Sequence, residues 1–124
     1  MVRVTSTALL AAAKLITVNK ATTAGAALSL ATPQALGPDC SPLGQVVVKV
    51  TTPPDHGTVH IEQGMAFSNY RLGDPPYLCN ARKSPATLVS YQAAAGFSGG
   101  DVAVIQVFFP DGRAPMVRYN ITVN

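Results

Sequence analysis

The chain has 124 residues, a formal net charge of +3 and a pI near 9.1, and its length predicts a single small domain. The basic surplus lies in Arg3, Lys14 and Lys20, because the six basic and six acidic residues from residue 37 onward cancel. That distribution provides no basic stripe for phosphate contacts, so we predict no nucleic-acid partner. No apolar run approaches the ~18 residues that a membrane-spanning helix needs, so we predict no membrane span.

The first 36 residues differ in composition from the rest, since they lack acidic groups and are rich in Ala, Leu and Thr. This composition is typical of a secretory signal. We take residues 1–20 as its basic segment and 21–31 as its apolar segment, with cleavage after Ala31 or alternatively after Ala35. The competing interpretation is a cytosolic protein with a frayed amphipathic helix. We predict a signal peptide or disordered leader over 1–36, which could be helical, a folded domain over 37–124, and a periplasmic or secreted location.

Cys40 and Cys79 are the two cysteines of the chain. In an oxidising compartment a lone pair in a small domain is most simply a disulfide, and we predict that bond. Closing a loop of about 40 residues would stabilise the fold by roughly 4 kcal/mol. The absence of a C-x-x-C motif and of clustered histidines in the sequence argues against redox or zinc chemistry.

The body contains short apolar segments separated by turn residues, and none after residue 40 shows a helical period. We predict strands, in chain order, at 45–52, 58–61 with 65–67 as an extension, 87–91, 102–109 and 116–123. The segment 102–109 is apolar on both faces and therefore indicates a central, buried strand. The Asp-Gly pair at 111–112 predicts a hairpin turn between the last two strands. The pattern predicts an all-β fold, a small antiparallel immunoglobulin-like β-sandwich of about six or seven strands.

Several Gly and Asp residues are assigned to turns and corners. Gly57 is expected to supply the unusual backbone angle of a tight turn. Asp101 is expected to accept backbone N–H bonds at the corner before the buried strand, because a calcium site would need further carboxylates beside it. The other predicted turn residues are Gly96, Gly99, Asp111 and Gly112.

Two separated motifs carry a family resemblance. The stretches 53–59 (PPDHGTV) and 89–101 (VSYQAAAGFSGGD) resemble the bacterial immunoglobulin-like, cadherin-like modules, and so do the closing segments 109–113 and 121–123. The resemblance covers roughly residues 45–124. It implies a sandwich fold in a short exported protein, usually without enzymatic activity, that binds proteins or surfaces or spaces other domains.

Catalytic and metal-binding motifs are weak in this sequence. His56 and His60 would lie ~13 Å apart along a strand, which is too far to share one ion. The sequence has no G-x-S-x-G elbow, no phosphate-binding loop and no closely spaced carboxylate pair. We therefore predict no cofactor, no metal site and no enzymatic activity. The Asn120-Ile121-Thr122 sequon is interpreted as chance.

The irregular segment 68–85 is the remaining functional candidate, since loops on a rigid sandwich often carry function. Its candidate partner-binding residues are Arg and Tyr, types enriched at interfaces, with one Lys: Tyr70, Arg71, Tyr77, Arg82 and Lys83. An ordinary solvated loop held by the disulfide is the alternative. The leading hypothesis is an exported module that binds an unknown protein or cell-envelope component. The second is a small secreted inhibitor or effector that contacts an enzyme through this loop.

Overall fold

The computed structural model describes residues 14–124, and they form seven strands in two sheets packed face to face. The strands are β1 (Leu15–Thr22), β2 (Ala27–Ala31), β3 (Val47–Thr52), β4 (Gly57–Phe67), β5 (Lys83–Ala93), β6 (Gly99–Phe108) and β7 (Met116–Val123), with one short 3-10 helix at Tyr77–Ala81. The prediction of a small all-β sandwich is confirmed. Within residues 14–124, no helix has the length and apolarity that crossing a bilayer requires.

One sheet has the strand order β1-β7-β6-β3 and the other has the order β2-β5-β4. The second to seventh strands are thus divided between the sheets as in an immunoglobulin domain. The first strand joins the β7 edge, where it runs parallel to β7 with Leu15 opposite Met116 and Thr22 opposite Val123. This pair departs from the predicted antiparallel arrangement, while all the other pairings between strands are antiparallel.

The core lies between the inner faces of the two sheets. Val89 and Tyr91 of β5 meet Ile105 of β6 and Ile121 of β7, and each of these side chains is at most 2% exposed. β6 lies between β7 and β3, as predicted for the segment that is apolar on both faces. Burial of these alternating apolar side chains, at about 25 cal/mol per Å² of apolar surface, is the main stabilisation of the sandwich.

The predicted boundary between a leader and a domain at residues 36 and 37 is wrong. Leu15–Thr22 is an edge strand on β7, and Ala27–Ala31 pairs with β5 and buries Leu30 in the core. Cleavage after Ala31 or Ala35 would remove both strands. The β-branched residues of 15–22 favour a strand, but their lack of acidic neighbours made the segment resemble a signal. The part of the leader prediction that concerns residues 1–13 lies outside the described residues.

The charge balance changes with that boundary. Lys14 and Lys20 now belong to the sandwich, so residues 14–124 hold eight basic and six acidic residues. The resulting formal charge of +2 is a small surplus. We keep the absence of a nucleic-acid partner as a prediction, because both lysines lie on or beside one edge strand.

The predicted corner role of Asp101 is confirmed at the start of β6. Its carboxylate accepts the backbone N–H groups of Asp55 (3.0 Å), His56 (3.1 Å) and Val102 (2.9 Å) and the hydroxyl of Tyr91 (2.7 Å). Burial raises the pKa of this carboxyl, but the hydrogen bonds from Tyr91 and the three N–H groups outweigh burial, and the net pKa is lowered. One buried carboxylate thus joins the β3–β4 connection to β5 and β6.

Gly57 fills a different role from the predicted turn. It is the first residue of β4, and a Cβ there would lie 2.6 Å from both the Gln92 carbonyl oxygen and the Tyr91 ring. The absence of a side chain, rather than a positive φ, lets Tyr91 reach Asp101. Gly96 and Gly112 lie in turns, as predicted, and have positive φ, whereas Gly99, also at positive φ, is the first residue of β6.

Replacing Asp101 by Ala is expected to lower the free energy of unfolding by about 3 kcal/mol, because the Tyr91 hydroxyl and three backbone N–H groups lose their acceptor. The pKa of Asp101 is lower in the folded chain, so its contribution is complete above the unfolded pKa of about 3.9 and is lost as the pH falls through the folded value. Urea unfolding of wild type and Asp101→Asn between pH 7 and 2 should therefore show a difference that shrinks with acid. Glu62→Gln on exposed β4 should change stability by less than about 0.5 kcal/mol at neutral pH. A difference in unfolding free energy between wild type and Asp101→Asn that stays constant with pH would contradict this role.

A chain that begins at residue 37 is expected not to fold, because it lacks β1, β2 and the buried Leu30. A chain that begins at residue 14 should unfold cooperatively. Circular dichroism and thermal unfolding of the two chains make the comparison. A cooperative transition in the shorter chain would restore the boundary predicted from the sequence.

Candidate binding site at one end of the sandwich

Three connections leave the strands at the same end of the sandwich. They are the β2–β3 connection (32–46), the β4–β5 connection (68–82) and the β6–β7 hairpin (109–115). Alternate connections between antiparallel strands emerge at the same end, which explains their grouping. We call this region the loop end. It is opposite the end that Asp101 holds.

The β2–β3 connection folds back on itself. Leu36 and Pro42 form an isolated bridge, and Leu43 N–H donates to the Ala35 carbonyl (2.8 Å). At the tip, Cys40 has a φ of 67°, which is uncommon for a residue with a side chain. The Asp39 carboxylate holds this tip by accepting the backbone N–H (3.1 Å) and hydroxyl (2.6 Å) of Ser41.

The predicted disulfide is present between Cys40 and Cys79, whose Cα atoms are 5.5 Å apart. Cys79 lies in the 3-10 helix and is fully buried. The bond therefore attaches the tip of the β2–β3 connection to the middle of the β4–β5 connection. A second link is the Leu36 N–H, which donates to the phenol oxygen of Tyr70 (3.1 Å).

Asn80 organises the β4–β5 connection from within. Its side-chain oxygen accepts the hydroxyl of Ser68 (2.7 Å) and the N–H of Tyr70 (2.9 Å), while its amide donates to the Tyr70 carbonyl (2.8 Å). Asp74 closes a further turn by accepting the N–H of Arg71 (3.0 Å). These bonds satisfy backbone groups that have no strand partner, which is how an irregular segment keeps one conformation.

The β6–β7 hairpin forms the third wall. The Asp111 carboxylate accepts both the N–H (3.0 Å) and the guanidinium Nε (2.8 Å) of Arg113. The same guanidinium lies 4.5 Å from the centroid of the Phe109 ring, in cation–π geometry. The hairpin also packs closely on the β2–β3 connection, since a Cβ on Gly44 would lie 2.9 Å from Pro110.

A cleft of about 360 Å³ lies where the three connections meet. Its walls come from all three: Gln34, Ala35, Leu36 and Leu43, then Tyr70, then Phe109, Pro110, Asp111 and Arg113. The volume is at the lower end of the range for small-ligand or side-chain pockets. An apolar floor with one charged pair at its rim suits an apolar or aromatic group that is flanked by a polar one.

Large apolar side chains are also exposed on two of the three connections. Leu72 and Leu78 of the β4–β5 connection are 84% and 81% exposed, and Leu43 of the β2–β3 connection is 67% exposed. Tyr77, beside Leu78, is exposed over about a third of its surface. Leu43, Leu72 and Leu78 thus present apolar surface on hydrogen-bonded, disulfide-linked segments.

The five residues predicted for partner binding divide into two groups. Arg71, Tyr77 and Arg82 are exposed on the β4–β5 connection. Tyr70 is half-buried in the cleft wall, and Lys83 begins β5, where its ammonium lies 5.8 Å from the Phe67 ring. The irregular segment thus ends at residue 82, three residues earlier than predicted.

The sequence analysis missed the exposed leucines and the contribution of the β6–β7 hairpin. Isolated leucines at 43, 72 and 78, each in a stretch rich in Gly, Pro, Ser and Asp, were the available signal. Phe109 and Arg113 were read as hairpin chemistry alone. Their hairpin geometry is real, and it also turns both side chains into the cleft wall.

The pKa values at the loop end shift for local reasons. The hydroxyl and N–H of Ser41 lower the pKa of Asp39, and the N–H and guanidinium of Arg113 lower the pKa of Asp111. Both carboxylates are at the surface and remain charged at neutral pH. They act as fixed acceptors for their turns rather than as proton donors.

The two histidines are far from the loop end. His56 stacks on Phe97 at a centroid distance of 4.2 Å, and His60 is exposed on β4. Within residues 14–124, no group of three His, Cys, Asp or Glu side chains is placed to hold a metal ion. Asn120 of the sequon lies on β7, paired on both sides, and its amide donates to the Asn19 side chain.

Comparison with known proteins gives little further information. No family model matches the chain, and no curated protein matches it significantly. Among solved structures, a 2,6-sialyltransferase from Vibrionaceae Photobacterium sp. JT-ISH-224 is similar over 90% of this chain at 11% identity, with a TM-score of 0.37. The chain spans 18% of that protein. This likeness is too weak to support a statement about activity.

Removing the disulfide with the pair Cys40→Ala and Cys79→Ala is expected to lower the free energy of unfolding by about 4 kcal/mol, since the bond closes a separation of 39 residues. Guanidinium unfolding of the oxidised wild type and the double variant measures the loss. Reduced wild type is the matched control and should equal the variant. A loss below about 1 kcal/mol would contradict the proposed role of the bond.

Proposed function

We propose that this protein is an exported, non-enzymatic immunoglobulin-like module that binds a protein or cell-envelope component through its loop end. The observation that carries the proposal is the cleft of about 360 Å³ together with the exposed Leu43, Leu72 and Leu78 on the connections that form it. The earlier resemblance to bacterial immunoglobulin-like, cadherin-like modules supports the same class of protein.

Preorganisation favours binding at this end. Ordering a loop on association costs roughly 0.5–1.5 kcal/mol for each immobilised side chain. Here the disulfide and the Asn80 hydrogen bonds order both long connections before any partner arrives. Apolar anchors on ordered loops are therefore free to contribute to affinity.

The side-chain chemistry of the loop end also fits protein recognition. Interfaces place aromatic or aliphatic anchors at the centre and Arg and polar groups around them. Leu72, Leu78 and Tyr77 would provide the anchors, with Arg71 and Arg82 around them. An exposed apolar group of the partner would occupy the cleft above Phe109.

The disulfide also supports a proposed location outside the cytosol. Such bonds persist in oxidising compartments and are rare in reducing cytosol. A periplasmic or secreted location is therefore part of the proposal. The predicted leader provides less support, because the residues assigned to it include β1 and β2.

Binding should be tested with the oxidised chain immobilised and exposed to an envelope extract of its own organism. Leu72→Asp with Leu78→Asp should weaken capture of the principal partner by at least about tenfold, the loss expected for central anchors. The matched control is Thr52→Asp with Thr58→Asp, which places the same charge on exposed sites at the opposite end of the sandwich. Equal capture by the loop variant and wild type would overturn the proposal.

A second function is a small secreted inhibitor or effector that acts on an enzyme through the β4–β5 connection. The projection of Leu72 and Leu78, each more than 80% exposed, favours it. If the captured partner is an enzyme, stoichiometric addition of wild type should reduce its turnover while the loop variant should not. An unchanged turnover at saturating wild type would exclude inhibition and leave the binding module.

A further inference from the structure

The sandwich has four edge strands, and three of them carry features that prevent pairing with another chain. β2 is five residues long and has a register shift between Ser29 and Ala31. β3 has a shift between Val50 and Thr52 and runs into Pro53 and Pro54. Short edges, bulges and prolines are the usual protection against edge-to-edge association.

β1 is protected by a charge. Val18, Lys20 and Thr22 lie opposite Tyr119, Ile121 and Val123 of β7, whose side chains face the core. Lys20 therefore occupies an inward-facing position on an edge strand. A second strand added there would have to cover this ammonium group, which disfavours pairing.

β4 lacks each of these features. It has eleven residues, pairs with β5 over its whole length without a register shift, and contains no Pro, Lys or Arg. Ile61, Met65 and Phe67 lie at alternate positions and are 39%, 53% and 58% exposed. A long, flat edge with a row of exposed apolar side chains is a template for a further strand.

The outward backbone groups of β4 can be assigned from the pairing. Ala94 N–H donates to the His56 carbonyl (2.7 Å), which extends the β4–β5 ladder by one hydrogen-bonded pair. Because hydrogen-bonded pairs alternate, even-numbered residues of β4 face β5 and odd-numbered residues present N–H and C=O to the free edge. The backbone N–H and C=O groups that face the free edge therefore belong to Val59, Ile61, Gln63, Met65 and Phe67.

We propose that this edge binds a second copy of the chain, with the two β4 strands antiparallel about a two-fold axis at Gln63. Pairing centred on residue 62 would use all eleven residues, but it would place Glu62 opposite Glu62 of the other copy, and like charges directly opposite destabilise a sheet. Moving the two-fold axis by one residue, from 62 to 63, removes that repulsion and still pairs residues 59–67. It puts Glu62 opposite Gly64.

The shifted register is self-complementary. Ile61 of each copy faces Met65 of the other, and Val59 faces Phe67, so each apolar pair occurs twice. Gln63 meets Gln63 on the axis, and each amide, which donates one N–H to the Thr87 hydroxyl (3.1 Å), keeps a second N–H for the other copy. This is the same-patch contact that a two-fold dimer requires, and it joins two three-stranded sheets into one six-stranded sheet. The loop ends stay outside the interface.

Sedimentation velocity of the oxidised full-length chain, from micromolar to millimolar, tests the dimer. Wild type should show a concentration-dependent dimer, and Ile61→Lys should raise its dissociation constant at least about tenfold, since a charge is placed twice against Met65. Val47→Lys is the matched control, because Val47 is equally exposed (40%) on the protected edge of β3. A wild-type monomer over the whole concentration range would overturn the proposal. An equal loss of dimer affinity in Ile61→Lys and Val47→Lys would also overturn it.

Cross-linking tests the register independently of affinity. Residues in a hydrogen-bonded antiparallel pair have Cα atoms about 5.5 Å apart, which a disulfide spans. Gln63→Cys should therefore form a covalent dimer under mild oxidation. Thr58→Cys, on the same edge, should not, because its two copies would lie about 33 Å apart. Cross-linking of Thr58→Cys but not Gln63→Cys would exclude this register.

Discussion

A covalent bond between Cys40 and Cys79 joins two connections that belong to different parts of the chain, and the shape of the loop end depends on it. The β2–β3 and β4–β5 connections bury only a few of their side chains, such as Leu36 and Cys79, while Leu43, Leu72 and Leu78 are exposed. Without apolar burial, irregular segments are held by hydrogen bonds and covalent links. The disulfide fixes their relative position, and the Leu36–Tyr70 and Asn80 hydrogen bonds fix the details within it.

The opposite end of the sandwich is held by a buried carboxylate. Asp101 joins the β3–β4 connection and Tyr91 of β5 to β6 through three hydrogen bonds. Burial, the hydrogen bond to Asp101 and the charge of Asp101 raise the pKa of Tyr91, so the phenol remains a donor at all physiological pH values. This end is specified by ordinary core residues and leaves few apolar groups exposed. The contrast supports the proposal that recognition occurs at the loop end.

Much of the sandwich could be predicted because its signals are local. Alternation of apolar residues identifies β3, β6 and β7, and the Asp-Gly pair at 111–112 identifies the hairpin between β6 and β7. The disulfide followed from the number of cysteines and the size of the domain. β1 and β2 were missed for a physical reason: an apolar segment without acidic residues has the same composition whether it is an edge strand or a signal. Only the pairing of β1 with β7 and of β2 with β5 distinguishes strands from a signal.

The candidate site could be predicted only in part, because it is formed by residues far apart in the chain. The β4–β5 connection is visible as an irregular stretch rich in Arg and Tyr. Its meeting with Phe109 and Leu36 depends on strand order, which composition does not contain. Gly57 shows the same limit, since its role is set by a tyrosine 34 positions later that crosses it in space.

The proposed binding function therefore requires that the loop end is ordered before a partner binds. Backbone ¹⁵N relaxation of the oxidised, partner-free chain tests this most directly, with residues 36–43 and 70–80 compared with β6 and β7. We predict order parameters near 0.85 in all four segments, and a fall below about 0.6 in the two connections alone when the disulfide is reduced in chain that stays folded. Low order parameters in both connections of the oxidised chain would contradict a preorganised recognition surface.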